Sequence, residues 1–238
     1  GVGIYLYDSD SNTIANNTAS SNSLAGIYLG YSSNIIVANN TMVADGIFIG
    51  GGMLEHWNTH TINTTNTVNS KPVRYWKNQT GGTVLSGAGE VILANCTDVT
   101  VENQNVSDGS VGIELGFSSN NVIANNTASS NNYHGIYLHS SSKNTITNNT
   151  ASLSNMDGIS LGLSSNNSII DNNATSNSYH GISLGSSSNN TIANNTASSN
   201  NYHGIVLVSS GNNSIDNNTA TSNKKYGIYL GLSSNNNI

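Results

Sequence analysis

The feature that most constrains this chain is a repeat of fixed length. Gly112, Gly135, Gly158, Gly181, Gly204 and Gly227 each open a Gly-Ile-x-Leu unit, and every interval is 23 residues. Gly3 to Gly26 is again 23, and Gly26 to Gly46 is 20. One unit reads GISLGSSSNNTIANNTASSNNYH (181–203), and GIYLHSSSKNTITNNTASLSNMD (135–157) is a near copy. A unit of this size cannot bury an apolar face alone and gains a core only by stacking on its neighbours, so the repeat predicts a solenoid. It also sets aside the disordered tract that an Asn-, Ser- and Thr-rich composition suggests by itself.

Within a unit, Ile182 and Leu184 alternate with Ser183, the period-two pattern of a strand with one buried face, and Ile192 and Ala197 supply further inward positions. No stretch carries a 3.6-residue apolar period. Three short strands separated by Gly and Ser/Asn corners fill one coil, so the expected fold is all-β: a right-handed single-stranded parallel β-helix. At 23 residues per coil, 238 residues give about ten coils, stacked about 4.8 Å apart. Three inward columns follow. One runs Ile4, Ile27, Ile47, Val73, Val91, Ile113, Ile136, Ile159, Ile182, Ile205, Ile228. The next runs Leu6, Leu29, Ile49, Tyr75, Leu93, Leu115, Leu138, Leu161, Leu184, Leu207, Leu230. The third holds Ile14, Val37, Ile62, Val101, Ile123, Ile146, Ile169, Ile192, Ile215 and Ile238.

Paired asparagines recur at each coil, as in Asn125–Asn126, Asn148–Asn149 and Asn194–Asn195. One of each pair is expected at a sharp corner, since Asn tolerates left-handed backbone better than other non-glycine residues. The other is expected to form an inward ladder in which stacked amides hydrogen-bond along the axis. Ser-Ser-Asn-Asn runs, such as Ser187–Asn190, mark a second polar corner.

The rhythm is regular over 1–49 and 112–238 and breaks over 50–111, which reads as irregular coils with an inserted loop within a single domain, 1–238. This segment holds Trp57, Trp76, the only Pro (Pro72) and the only Arg (Arg74), with Lys71 and Lys77. Insertions in a solenoid collect on one face, often the working face. The chain opens in mid-pattern with GVGIYLY and ends at Ile238 partway round a coil, as expected of a segment of a longer repeat protein.

Charge narrows the function classes. Six Lys and Arg against twelve Asp and Glu give net −6 on a chain only 8% charged, so there is no basic stripe for nucleic acid or for a membrane surface. A single cysteine, Cys96, excludes an intramolecular disulfide framework. No run of about 18 apolar residues is present to span a bilayer.

The units GIxLxxSSNNxIxxNNTA, together with the string KPVRYWKNQTGGTVLSGAGEVILANCTDVTVENQNVSDGSVGIELGFSSNN (71–121), resemble the archaeal, methanogen-like surface proteins built from NosD-type β-helix repeats. Those proteins fall in the wider group of carbohydrate-binding and sugar-hydrolase parallel β-helices. The resemblance covers almost the whole chain. It implies an extracytoplasmic, envelope-associated protein, and the NosD name brings an association with copper.

Four sets of side chains are candidates for a site. Glu90, Glu114 and Arg74 make the one conceivable acid–base group near the irregular segment, while the remaining carboxylates scatter over the columns. His134, Asp157, His180 and His203 form a column about 4.8 Å apart, in which imidazoles and a carboxylate would suit Cu(II), Ni(II) or Zn(II). The bland alternative for that column is a Tyr-His-Gly corner packed by Tyr133, Tyr179 and Tyr202. Among many Asn-x-Ser/Thr sequons, Asn63 and Asn78 in the irregular segment are the favoured glycosylation acceptors. Tyr5, Tyr28 and Phe48 form an outward aromatic stripe that, with Trp57, Arg74 and Trp76, would contact sugar rings or a partner.

The sequence therefore predicts a structural, non-catalytic repeat protein of an extracellular surface, sheath or fibre-like assembly, needing no cofactor. Its expected partners are copies of itself and cell-surface polysaccharide. The alternative is a carbohydrate-binding or carbohydrate-modifying β-helix, and a lesser one a NosD-like copper binder.

Overall fold

The computed structural model describes all 238 residues. Apart from one helical turn, Glu55–Asn58, its regular elements are short β-strands, and no helix is long and apolar enough to cross a membrane. From residue 90 onward the solenoid is regular. Glu90–Ala94, Ile113–Gly116, Ile136–His139, Ile159–Gly162, Ile182–Gly185, Ile205–Val208 and Ile228–Gly231 pair in parallel as one wall. Thr100–Glu102, Val122–Ala124, Thr145–Thr147, Ser168–Ile170, Thr191–Ala193 and Ser214–Asp216 form the second wall. The third is reduced to single parallel bridges that run from Asn105 through Thr127, Thr150, Asn173 and Thr196 to Thr219.

Register places Ile113, Ile136, Ile159, Ile182, Ile205 and Ile228 in one line and their Leu partners two residues on in the next. Both lines point into a continuous core cluster of 27 buried residues. Each fully buried aliphatic side chain contributes about 1.5–3 kcal/mol relative to exposure, which is why strands of three or four residues suffice once they are stacked.

The corners divide the Asn pairs by position. The first member is exposed and left-handed, with φ of 56° at Asn125, 54° at Asn148 and 56° at Asn194. The second is buried and builds the ladder. Asn126 donates its backbone N–H and its amide to Asn149 Oδ1 at 2.9 and 3.0 Å, and Asn149 does the same to Asn172. Asn149 Nδ2 also donates to Ile123 O at 2.8 Å. Two more ladders follow the same rule, Asn121–Asn144–Asn167–Asn190–Asn213 and Asn177–Asn200–Asn223. These corners satisfy buried backbone N–H groups through side-chain amides, and the hydroxyls of Ser141, Ser164, Ser187 and Ser210 do the same at another corner, as buried polar groups require.

The first 68 residues form a second stack, and here the structure corrects the expected columns. Ile4, Ile27 and Ile47 align, as do Leu6, Leu29 and Ile49, and Ile14, Val37 and Ile62. The alignment stops there: Ile47–Gly50 ends its own three-stranded sheet and does not pair with Lys71–Lys77. A two-residue hairpin at Asn69 and Ser70, with φ of 49° and 65°, reverses the chain, so Lys71–Lys77 pairs antiparallel with Thr67–Val68 and parallel with Glu90–Ala94. Positive φ at both loop residues is the geometry that matches strand twist in such a turn. The register is also one residue from expectation. Val73 lies level with Glu90, Arg74 with Val91, Tyr75 with Ile92 and Trp76 with Leu93.

One sheet therefore serves two cores on opposite faces. Val91 and Leu93 point into the long core, while Val73, Ile92 and Ala94 join Ile27, Leu29, Met42, Ile47, Ile49, Trp57 and Val68 in a second cluster. Burial of all five residues of Glu90–Ala94 follows directly.

Candidate functional site

The outer face of the long wall is a strip along the axis that ends in a groove at the last coils. Two outward columns make it: Ile92, Glu114, Tyr137, Ser160, Ser183, Val206, Tyr229, and Ala94, Gly116, His139, Gly162, Gly185, Val208, Gly231. The short stack fills one end. Trp57 lies against Gly116 and parallel to the His139 ring, with centroids 5.7 Å apart. Phe48 meets Tyr133 at 5.0 Å and Tyr137 at 5.8 Å. A side chain on Gly116 would occupy the place of the indole, so the short stack can seat only over a glycine here.

Past Ser160 the floor is small and open: a Cβ placed on Gly185 would meet only Leu161 O, at 3.9 Å. At the far end Tyr179, His180, Tyr202, His203, Val206, Val208, Lys225, Tyr226 and Tyr229 enclose a cleft of about 410 Å³. Its rings are ordered. Tyr179 stacks on Tyr202 at 4.9 Å, His180 on His203 at 5.1 Å, and His203 on Tyr226 and Tyr229 at 5.2 and 4.9 Å. Lys225 Nζ lies 5.7 Å from the Tyr202 ring centroid.

The His134, Asp157, His180, His203 column exists, but as a hydrogen-bonding ladder. The Nδ1 atoms of His134, His180 and His203 accept the backbone N–H groups of Asp157, His203 and Tyr226 at 3.3, 3.3 and 3.2 Å. Occupied Nδ1 fixes the ring proton on Nε2, which leaves neither nitrogen free for a metal. No three His, Cys, Asp or Glu side chains are placed to hold an ion, so the expected metal set is corrected on geometry. Burial holds His134 down at about 3 and pushes Asp157 up to about 7, so their 3.6 Å approach is no ion pair: the imidazole is uncharged where the carboxyl ionises. Burial and then the neighbouring His203 lower His180 to about 4.

Glu90 and Glu114 sit beneath the edge strand of the short stack, at the covered end of that face. Glu90 Oε2 accepts Ile47 N–H at 2.9 Å, and Glu114 Oε2 accepts Ile49 N–H at 3.3 Å. The two carboxyls thus satisfy an edge that has no strand beside it. Arg74 does not join them: its level is that of Val91, and its buried Nε has no partner. The expected acid–base trio is therefore a clasp between two stacks. Burial raises both carboxyls well above the usual range, and in Glu114 the charge of Glu90 adds to the effect.

A pH dependence with a definite sign follows. A raised folded pKa gives stability that is complete below the unfolded value and is lost as pH climbs through the folded one. His60, His134 and His180, lowered to about 4, 3 and 4, act oppositely: their contribution is complete above about 6.5 and is lost as pH falls. Glu114→Gln should therefore gain stability relative to wild type as pH rises from 5 to 9, by up to about 1.4 kcal/mol per pH unit within the titration interval. Denaturant melts across that range measure it, and parallel profiles for the two proteins would refute a neutral clasp.

The other candidates divide by burial. Tyr5, Tyr28 and Phe48 do stack, with centroids 5.0 and 4.9 Å apart, but Phe48 is buried against Tyr133 and Tyr137 and only Tyr5 is well exposed. Burial pushes the Tyr28 hydroxyl up to about 12. Trp57 is completely buried, its indole N–H donating to Gly51 O at 2.8 Å, and is corrected from contact residue to core. Trp76 packs against the long core. Asn63 and Asn78 are both exposed, and Asn78 Oδ1 accepts the amides of Asn58 and Asn95 at 2.9 and 2.7 Å. Sequence reasoning placed Tyr179 and Tyr202 only as packing and passed over Lys225 and Tyr226. The available signal was Lys224–Lys225 abutting a tyrosine in a chain with six cations.

A family profile for the right-handed β-helix region matches residues 1–98 and 89–238. The chain belongs to that family. This β-helix also resembles solved structures of the periplasmic alginate epimerase AlgG. One mutant of that enzyme superposes with TM-score 0.61 at 19% identity, covering 88% of this chain and 53% of the epimerase. A second gives 0.58 at 16%, covering 94% and 58%. The β-helix thus spans little more than half of those enzymes, and at such identity the likeness is one of fold. No curated protein matches the chain.

Proposed function

We propose that this β-helix is a non-catalytic, extracytoplasmic surface rod that binds polysaccharide along the free outer face between Ser160 and Tyr229. The observation that carries the reading is the cleft at the end of that face, walled by four tyrosines and two histidines and reached along the outward positions Ser160, Gly162, Ser183 and Gly185. Tyrosine faces stack on the C–H faces of sugar rings while their hydroxyls meet sugar oxygens, so such walls suit a carbohydrate better than a purely apolar ligand. The carboxylates nearest the groove, Glu114 and Asp157, are buried and hydrogen-bonded to backbone, which supports binding over acid–base chemistry. The epimerase likeness in fold agrees with a carbohydrate-related role.

The test is a screen of soluble polysaccharides by affinity electrophoresis and calorimetry. A bound polymer should lose about tenfold in affinity with Tyr202→Ala or Tyr229→Ala, the scale of one lost aromatic stack. Tyr7→Ala, an exposed ring on the other stack, should leave it unchanged. Full affinity in both groove variants would overturn the reading.

A further inference from the structure

We infer that the cleft at the far end of the groove selects anionic polysaccharides, with Lys225 as the pairing cation; this rests on the glycan-binding reading above. The first argument is the distribution of charge. The chain has twelve carboxylates and six cations, yet the cleft is lined by Lys225 and no carboxylate. Lys224 lies beside it in sequence and is also exposed. The single acid–base contact within the chain is His134 with Asp157, so Lys225 has no ion-pair partner and is tethered only over the Tyr202 ring. An exposed cation–π contact is worth about 0.5–1 kcal/mol, weak enough to yield to an incoming anion.

The second argument is hydrogen-bond polarity. Backbone N–H groups occupy Nδ1 of His180 and His203, so both imidazoles carry their proton on Nε2 and offer donors there. Lys225 adds three N–H donors and no acceptor. With two Nε2–H groups and an ammonium that can only donate, and four tyrosine hydroxyls that can also donate, the wall fits a ligand rich in acceptors, and a carboxylate or sulfate on a sugar supplies them in charge-assisted form. Both imidazoles lie below the usual histidine range, held there chiefly by burial, so they remain neutral donors at neutral pH.

Two matched pairs of probes test the inference: polygalacturonate with its methyl ester, and dextran sulfate with dextran. In low salt the anionic member of at least one pair should bind tenfold or more tightly than its neutral partner. Rising ionic strength should erase the difference. The pair with the larger ratio identifies the anion as carboxylate or sulfate. Lys225→Gln should collapse that ratio toward one, whereas Tyr229→Ala should weaken both members alike. Equal binding of charged and neutral members, still weakened by Tyr229→Ala, would overturn the selectivity and keep the glycan reading. Absence of binding by all four probes would overturn both.

Discussion

Leu184→Asp is expected to abolish cooperative folding of the regular stack, whereas Ser183→Asp, one residue earlier, should melt within a few degrees of wild type. Leu184 is completely buried between Leu161 and Leu207, and Ser183 stands on the outer face. The aspartate at 184 removes a leucine whose loss alone costs about 2–5 kcal/mol. It also leaves an unpaired charge in the core at several kcal/mol more. Their sum rivals the 5–15 kcal/mol that holds a typical domain folded. Thermal melts followed by circular dichroism decide the matter. Comparable midpoints for the two variants would mean that the inward and outward faces have been exchanged, since a one-residue slip inverts every side chain of a strand.

The second large effect lies in the amide ladders. Asn149→Ala should cost about 3–5 kcal/mol, and Asn148→Ala about 1 kcal/mol, although the two residues are identical and adjacent. Removing the Asn149 amide orphans the Asn126 backbone N–H, leaves the Asn126 amide with Val101 O alone and takes a donor from Ile123 O, all buried between coils. Each buried group left unpaired costs roughly 1–3 kcal/mol. Asn148 is exposed and makes no such bond; alanine there loses only the tolerance of asparagine for φ of 54°. Chemical denaturation of both variants, with equal losses, would remove the ladder as a source of stability.

The regular coils were legible because the repeat writes the same instruction many times. Ile159, Ile182 and Ile205 must share a face, and the structure pairs them in that order. Splitting each Asn pair between corner and ladder was also legible, but not which member did which, since that depends on the left-handed first residue. The junction was not legible. Extrapolating the columns through Val73 and Tyr75 assumed one continuous direction of stacking, and the reversal rests on Asn69–Ser70, which lacks the Gly that usually marks a two-residue hairpin. The groove was missed for a related reason: Ser160 and Ser183 read as plain outward positions, and only the side-by-side packing of two stacks shows which stretch of that face is covered and which is free.

The sheet shared by two cores bears on how such a chain can grow. A coil between Gly158 and Gly204 touches only the coils on either side of it, so copying one 23-residue unit there would lengthen the molecule by about 4.8 Å and extend the free groove by one rung. The same copy placed between Glu90 and Glu114 would separate the two carboxyls that hold Ile47 and Ile49 and carry Gly116 away from Trp57, breaking the register on which the short stack is seated. Unit number is therefore negotiable at one end of the molecule and frozen at the other, and the binding face can be resized by whole coils without redesign of the joint that holds the two stacks together.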